Sequence, residues 1–519
     1  MNTLVIGHEV RTLVRAPAFI WILLLLAGAL AFGAWSGAQS MLRQERGAQE
    51  MAAAAAETRE GLRSGLESYE QRMAETGGPI QIAVYSHSPR GAIPQGTNAG
   101  SVGLKADEPA ILPFTGLGAF AVGQSDIQLS YVPVNTESIT RVLQDSELGN
   151  PVNLLRGAFD LSFVVIFVLP IFILAISYDM LSSEKERGTL AMVLSHPISL
   201  RKLMTSKVIS RAAIVVAVVF ALGLGALLFA GRGLDTIETW ARFGLWTLSA
   251  LLYAMFWFAL SVLVNALGKN SATNGIILAG AWLVLVVVAP VVISVAATTA
   301  YPTPSRFDFI TASRSAQTEA ERDYMGALNQ YYYDHVEYAP DGSGQDFLAV
   351  TRAKGEAVAR AVDPIYQRFR SQRAQQDRMV SMFQFLTPAL MMQSALNDIS
   401  GVGSARYSSF IDQVQAFHQE WVSYFTTRFL QERPLASSEF ADFPRFTFQE
   451  ESFGALMMRV APRLLGLLIL GGLAALASVV ALRRYQAGAR EERGSPGSSR
   501  RTKKPRALTS ARLLSCSKR

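Results

Sequence analysis

The residues best suited to chemistry lie in one short stretch, Glu184-Lys185-Glu186-Arg187-Gly188-Thr189. Leu190, Val193, Leu194 and Ser195-His196-Pro197 follow, and then the basic residues Arg201, Lys202 and Lys207. The chemistry they suit is recognition. A charged turn leads into a short apolar helix from Thr189 to Leu194, which the proline ends. Acids before a helix stabilise its positive N-terminus. Gly188 permits a sharp entry, and Thr189 can cap the turn that follows. Leu190, Val193 and Leu194 recur at spacings of three and four, so they share one face. That face can fill a groove on another protein while Arg187 pairs with an acid at its rim. A solvated loop is the alternative on composition alone. Glu186 and Arg187 are the residues to which recognition is assigned.

Catalytic signatures are absent. Gly268-Lys269 is followed by Asn270, and Leu263 stands where a phosphate-binding loop needs its first glycine. No His-Glu-x-x-His and no Gly-x-Ser-x-Gly occurs. His8, His87, His196, His335 and His418 are isolated from one another, and His335 stands among acids with no partner at ligand spacing. The single cysteine, Cys516, excludes an intrachain disulfide and a Cys-based zinc site. No catalytic residue, metal ligand or cofactor site is therefore assigned, and the chain is not expected to be an enzyme.

The elements that must position the charged stretch are membrane helices. The chain has 519 residues, of which 50% are hydrophobic and only 17% charged. Soluble chains carry about 25% charge, so a disordered or ordinary cytosolic protein is excluded. A helix needs about 20 apolar residues to cross a bilayer. Six windows free of Asp, Glu, Lys and Arg meet this, predicting spans at 16–42, 157–178, 209–231, 240–267, 274–300 and 457–482. The first could also be read as a cleavable signal peptide ending near Ser36-Gly37-Ala38. Its apolar run is long for that role, and an Ala-rich helix continues it. Few ionisable residues fall within the spans, so uphill transport would need energy from another subunit.

Basic residues orient the spans. The loop 179–208 is rich in Lys and Arg, whereas the loop after the third span holds only Arg232 and Arg242, offset by Asp235 and Glu238. Formal net charge is +7. From Arg483 onward, twelve Lys/Arg face two acids, so the tail is +10 and the remainder −3. The basic excess thus marks a tail beside anionic lipid, not a nucleic-acid site. Both ends and the loop 179–208 are expected in the cytoplasm, with 43–156 and 301–455 outside. The tail, 483–519, is expected to be disordered from Ala487 onward because its composition cannot bury a core.

In the first external segment, Gln39 to Glu75 reads as a helix extending the first span, stopped by Gly77-Gly78-Pro79. Ile82–Tyr85 and Ile127–Val132 are strand candidates in a small mixed domain. In the second, Thr387-Pro388 reads as the start of a helix that Gly401 ends. A further helix begins near Ser404, and its stripe Phe410, Val414, Phe417, Trp421 and Phe425 reads as core packing. The fold class is thus an all-α polytopic membrane protein with six transmembrane helices. It has two large external segments, the first partly β and the second helical.

The run from Glu184 to Lys207 resembles the loop between spans two and three in the ABC type-2 permease family, the membrane subunits of ATP-binding-cassette exporters. That family shows Glu-Lys-Glu-Arg-Gly-Thr, a short helix, Ser-x-Pro and a basic run. The stretch 1–15, with Glu9, Arg11 and Arg15, resembles the family's amphipathic cytoplasmic helix. Phe385-Leu386-Thr387-Pro388 and the aromatic helix after it resemble a subgroup with a large helical insert before the last span.

The resemblance implies six spans per subunit, working as a homodimer or heterodimer with a second permease in a bacterial inner membrane. It implies a separate ABC ATPase subunit that carries ATP and magnesium. The coupling element would be Glu184, Lys185, Glu186, Arg187, Gly188, Thr189, Leu190, Val193, Leu194 and Pro197. Export driven by that ATPase is the leading expectation. Mechanotransmission to a periplasmic partner without transport, or a membrane scaffold, are the alternatives.

Overall fold

A computed structural model describes residues 2–76, 99–123, 130–137, 159–190, 199–267, 269–336, 339, 347–430 and 435–494. Within these residues the chain is helical apart from turns and one two-stranded sheet. α1 (Asn2–Arg15) ends where Pro17 biases Ala16 away from helical geometry. α2 (Pro17–Thr76) then runs unbroken for 60 residues, about 90 Å at 1.5 Å per residue. The Ala-rich extension expected beyond the first span is therefore present.

α3 (Ala99–Lys105) leads into the hairpin β1 (Glu108–Ile111) and β2 (Tyr131–Val134), antiparallel with Glu108 opposite Val134. β2 overlaps the expected strand at Ile127–Val132, whose first residues, like Ile82–Tyr85, lie outside the described residues. β1 was not expected. Pro109 within it donates no ladder bond, which a two-stranded sheet tolerates because both strands are edges.

α4 begins at Leu161–Phe163, widens into a π-helical turn at Val164–Val168 and continues through Leu169–Ser177. α5 (Ser182–Glu186), α6 (Leu200–Ala230) and α7 (Ile237–Ala266) follow. α8 has the same interruption as α4: Ser271–Trp282, a π turn at Leu283–Val288, then Ala289–Ala300. α9 (Arg306–Arg322), α10 (Tyr324–Asp334), α11 (Phe347–Phe383), α12 (Pro388–Ile399) and α13 (Ser404–Leu430) precede the last helix, α14 (Phe453–Gly494). Among the described residues six segments are long and apolar enough to cross a membrane, and they carry α2, α4, α6, α7, α8 and α14. The protein is an all-α polytopic membrane protein.

α7 stands at the centre of the spans. Its Trp246, Tyr253, Trp257 and Phe258 are fully buried against α4, α6 and α14. α12 is not a span, yet Met391, Met392, Leu396 and Ile399 pack into this same core. Thr387 caps it, accepting from the Leu390 amide at 3.1 Å. At its far end the Asp398 carboxylate pairs with Arg463 and Arg459 of α14, and Arg242 of α7 donates to the Ile399 carbonyl at 3.1 Å.

A second core lies outside the apolar windows. The stripe Phe410, Val414, Phe417, Trp421 and Phe425 is buried there with Phe440, Phe443, the hairpin and Leu66 of α2. Arg59 of α2 grips β1 through the Glu108 carboxylate at 2.5 Å and the Asp107 carbonyl at 3.1 Å. The long helix α2 therefore joins the two cores.

One expectation is corrected at the carboxyl end. The helix of the last span continues to Gly494, past Ala487, where disorder was expected. Its Ala, Arg, Glu and Gln residues are strong helix formers, so the span propagates through them. The remaining tail, with Cys516, lies outside the described residues.

Candidate functional site

The charged stretch forms a junction at one end of the spans. The segment expected as a charged turn is itself a short helix, α5, closed by Arg187 at its C-cap. Gly188 follows at φ +74°, where a side chain would be strained. The glycine thus ends one helix as well as opening the next segment. Thr189 caps backward: its hydroxyl donates to the Glu184 carbonyl at 3.2 Å.

Glu184 faces inward, whereas Glu186 is exposed and reaches across the surface to another span. Glu184 Oε1 accepts from Lys207 Nζ of α6 at 2.6 Å, with Lys207 8% and Glu184 22% exposed. Lys207 also donates to the Met180 carbonyl at 3.2 Å. Glu186 takes the start of α8, accepting from the Ser271 amide at 2.7 Å and the Ser271 hydroxyl at 3.0 Å. A carboxylate at a helix N-terminus is well placed electrostatically. Ser182 and Ser271 hydroxyls meet at 2.8 Å.

α7 supplies the third tie. Asn265 is buried, accepts from the Leu181 amide at 3.1 Å, and donates to the Ser177 and Ser261 carbonyls at 3.0 and 2.9 Å. A buried amide with its donors and acceptor all used fixes one local geometry. Three spans, α6, α7 and α8, are thereby fastened to the few residues that leave α4.

Of the other expected site residues, Lys185, Arg187 and Gly188 are exposed. Leu190 is buried against Met180, Leu181, Leu200 and Leu203, so its face is taken by this chain. Val193, Leu194 and Pro197 lie outside the described residues. In α1, Arg11 and Arg15 are exposed, while Glu9 turns inward to Arg211 of α6 at 3.2 Å. Arg211 also donates to the Ile176 carbonyl at the end of α4. α1 and α5 are therefore both tied to the N-terminal half of α6, through Arg211 and Lys207.

Sequence reasoning passed over Asn265 and Ser271. Asn265 is an amide inside a charge-free window, and such groups in a span seek a partner. Ser271 lies in the polar turn between two spans, where Asn270 caps α8 by accepting from the Thr273 amide at 2.8 Å. Among the described residues no group of three His, Cys, Asp or Glu side chains could hold a metal. Among the described residues the arrangement ties α5 to three spans and leaves a charged tip at Lys185 and Arg187 exposed.

No curated protein matches the chain. Residues 3–487 match the family model described as ABC-2 family transporter protein. With six apolar spans and a charged loop rooted between the second and third, the chain belongs to the ABC-2 family of transporter proteins.

Proposed function

We propose that this permease is the membrane subunit of an ATP-binding-cassette exporter in a bacterial inner membrane, with both termini in the cytoplasm. A separate ATPase subunit binds ATP and magnesium, and two permeases form the pathway. The loop from Glu184 to Pro197 is the coupling element. The observation that carries this reading is the triple fastening of α5, by Glu184 to Lys207, Glu186 to Ser271 and Asn265 to Leu181. A push on the exposed tip at Arg187 and Gly188 would reach three spans at once. Arg187 is the contact residue, whereas Glu184 and Glu186 transmit.

Charge reversal at Arg187 tests this. The Arg187→Glu variant should insert and purify like the parent but lose the ATPase subunit on co-purification. Retention of that subunit with normal cargo-stimulated hydrolysis would overturn the assignment. Orientation is tested with Tyr333→Cys in a Cys516→Ser background. An impermeant thiol reagent should label it in intact spheroplasts, and labelling only after lysis would invert the topology.

Mechanotransmission is favoured by a different observation, the unbroken course of α2 from the spans into the aromatic core. A rigid rod of that length moves whatever it is packed against. Cargo accumulation in inverted vesicles supports export. ATP-dependent capture of a periplasmic protein without cargo movement supports mechanotransmission.

A further inference from the structure

The end of α11 and the turn after it carry an uncovered apolar edge. Met382 is 67% exposed and Leu386 66%, with Phe383 and Phe385 at 38% and 42%. Gln384, in the middle, is buried. The run 379–397 contains no Asp, Glu, Lys or Arg, which makes it as free of charge as a span. Thr387-Pro388 folds it into a hook, because proline starts α12 and prevents α11 from continuing.

Two neighbouring spans measure how deep the hook lies. Gln376 donates to the Tyr301 carbonyl at 2.6 Å, just past the end of α8. α11 packs against Ala289–Ala300, so residues after Gln376 run back along α8. Phe383 is seven residues on, about 10 Å farther toward the membrane centre. α14 gives a second measure. A Cβ built on Gly466 would stand 3.0 Å from the Phe385 ring. Gly466 lies three residues, about 4.5 Å, inside Arg463, where the charge-free window of α14 begins. Arg463 holds the turn there, donating to the Gln384 side chain at 3.1 Å. Leu465, Leu468 and Ile469 of α14 are exposed next to it.

We propose that Met382–Leu386 is a lipid anchor, inserted beside α14 into the glycerol and upper acyl layer of the bilayer. Amphipathic elements penetrate to about 5–10 Å, which agrees with both depth measures. The exposed face of the hook is continuous with the lipid-facing side of α14, and its only buried polar group is satisfied by Arg463. Acyl chains are its partner, and the anchor ties the extramembrane helix α11 to the membrane surface.

The test uses the full chain in phosphatidylethanolamine/phosphatidylglycerol vesicles. Nitroxides are placed at Met382→Cys or Leu386→Cys in a Cys516→Ser background, with Val292→Cys as the lipid reference and Tyr333→Cys as the aqueous one. The ratio of accessibility to oxygen over a soluble nickel chelate should be at least threefold above that at Tyr333 and approach that at Val292. A ratio equal to the Tyr333 value would overturn the anchor. Immobilised spectra with dipolar broadening between labels would overturn it too, assigning the face to a second copy. The unlabelled protein offers an independent reading. In vesicles Met382 should resist an aqueous oxidant at least threefold better than Met325, although it is the more exposed of the two within the chain. Equal oxidation rates would refute insertion.

Discussion

The Tyr253 hydroxyl donates to the Ile166 carbonyl at 2.9 Å, and Ile166 is the residue four positions before Pro170. Proline has no N–H, so it cannot serve that carbonyl as a helical residue would. α4 also widens here, with the Leu169 amide bonding back five residues to Val164. The Trp282 indole serves the next carbonyl, Phe167, at 3.2 Å. Trp282 itself enters the π turn of α8, which Pro290 follows. Two irregular, proline-marked turns therefore lie side by side, and α12 packs against both. Such turns are where a span can bend without losing a regular ladder.

Tyr253→Phe removes the donor and leaves the Ile166 carbonyl in a dry core. Interhelical hydrogen bonds in membranes contribute about 0.6 kcal/mol on average and about 1.7 at most. Because a buried carbonyl is left unpaired, the loss should fall near the upper figure. Unfolding of the detergent-solubilised protein by sodium dodecyl sulfate should show it. A loss below about 0.3 kcal/mol would mean that another group takes over the carbonyl.

Gly401 gives a second prediction. It has φ +77°, and a Cβ there would collide with Thr115, whose hydroxyl donates to the Ser400 carbonyl at 2.7 Å. Left-handed geometry costs a side chain about 1–2 kcal/mol. Gly401→Ala should therefore destabilise by more than that, since the clash adds to it. Thr115→Ala in the same chain should recover the clash but not the strain. Thermal unfolding of the single and double variants separates the two contributions.

The spans were legible because lipid demands about 20 apolar residues each, a pattern that no side-chain partner can disguise. The helix from Thr387 to Gly401 was legible through its cap and stop, and the stripe from Phe410 to Phe425 through its period. What escaped was long-range. Nothing local announces that Glu186 meets Ser271, eighty-five residues on. The chain around Glu184 and Arg187 shows both as charged, yet only tertiary packing turns one inward and leaves the other exposed. The π turns escaped as well, since Val and Ile runs look the same in either ladder.

His418 predicts a pH response of the aromatic extramembrane core. Burial lowers its pKa below the ordinary 6.5, opposed by the Glu137 carbonyl at 2.6 Å. The unfolded chain therefore binds this proton more readily. Its contribution to stability is full above about pH 6.5 and is lost as pH falls through that value toward the lowered one. Burial raises the carboxyls of Asp107, Glu108 and Asp377, which act with the opposite sign. The informative quantity is thus the difference between the parent and His418→Gln. It should change between pH 7 and pH 5 with a slope of at most one proton, about 1.4 kcal/mol per pH unit. Parallel curves for the two proteins would show that His418 does not titrate differently on folding.

The Glu184–Lys207 pair separates transmission from docking. Lys207→Met removes the charge that faces a largely buried carboxylate, whose Oε2 is also buried without a partner. Breaking a buried pair from one side costs about 3–5 kcal/mol. Glu184→Gln is milder, because Lys207 keeps the Met180 carbonyl and an amide oxygen can still accept. About 1–2 kcal/mol is expected for that variant. The double variant should be more stable than Lys207→Met alone, since the unpaired carboxylate is gone, and a double-mutant cycle in detergent measures this coupling. The functional contrast lies with Arg187, whose side chain is exposed. Arg187→Glu should lose the ATPase subunit. Glu184→Gln should retain it and still lose stimulation of hydrolysis by cargo, because its defect is in passing motion from α5 to α6. Loss of the ATPase subunit in both variants would place Glu184 in the docking surface. Normal stimulation in Glu184→Gln would show that motion reaches the spans through Asn265 and Ser271 without α6.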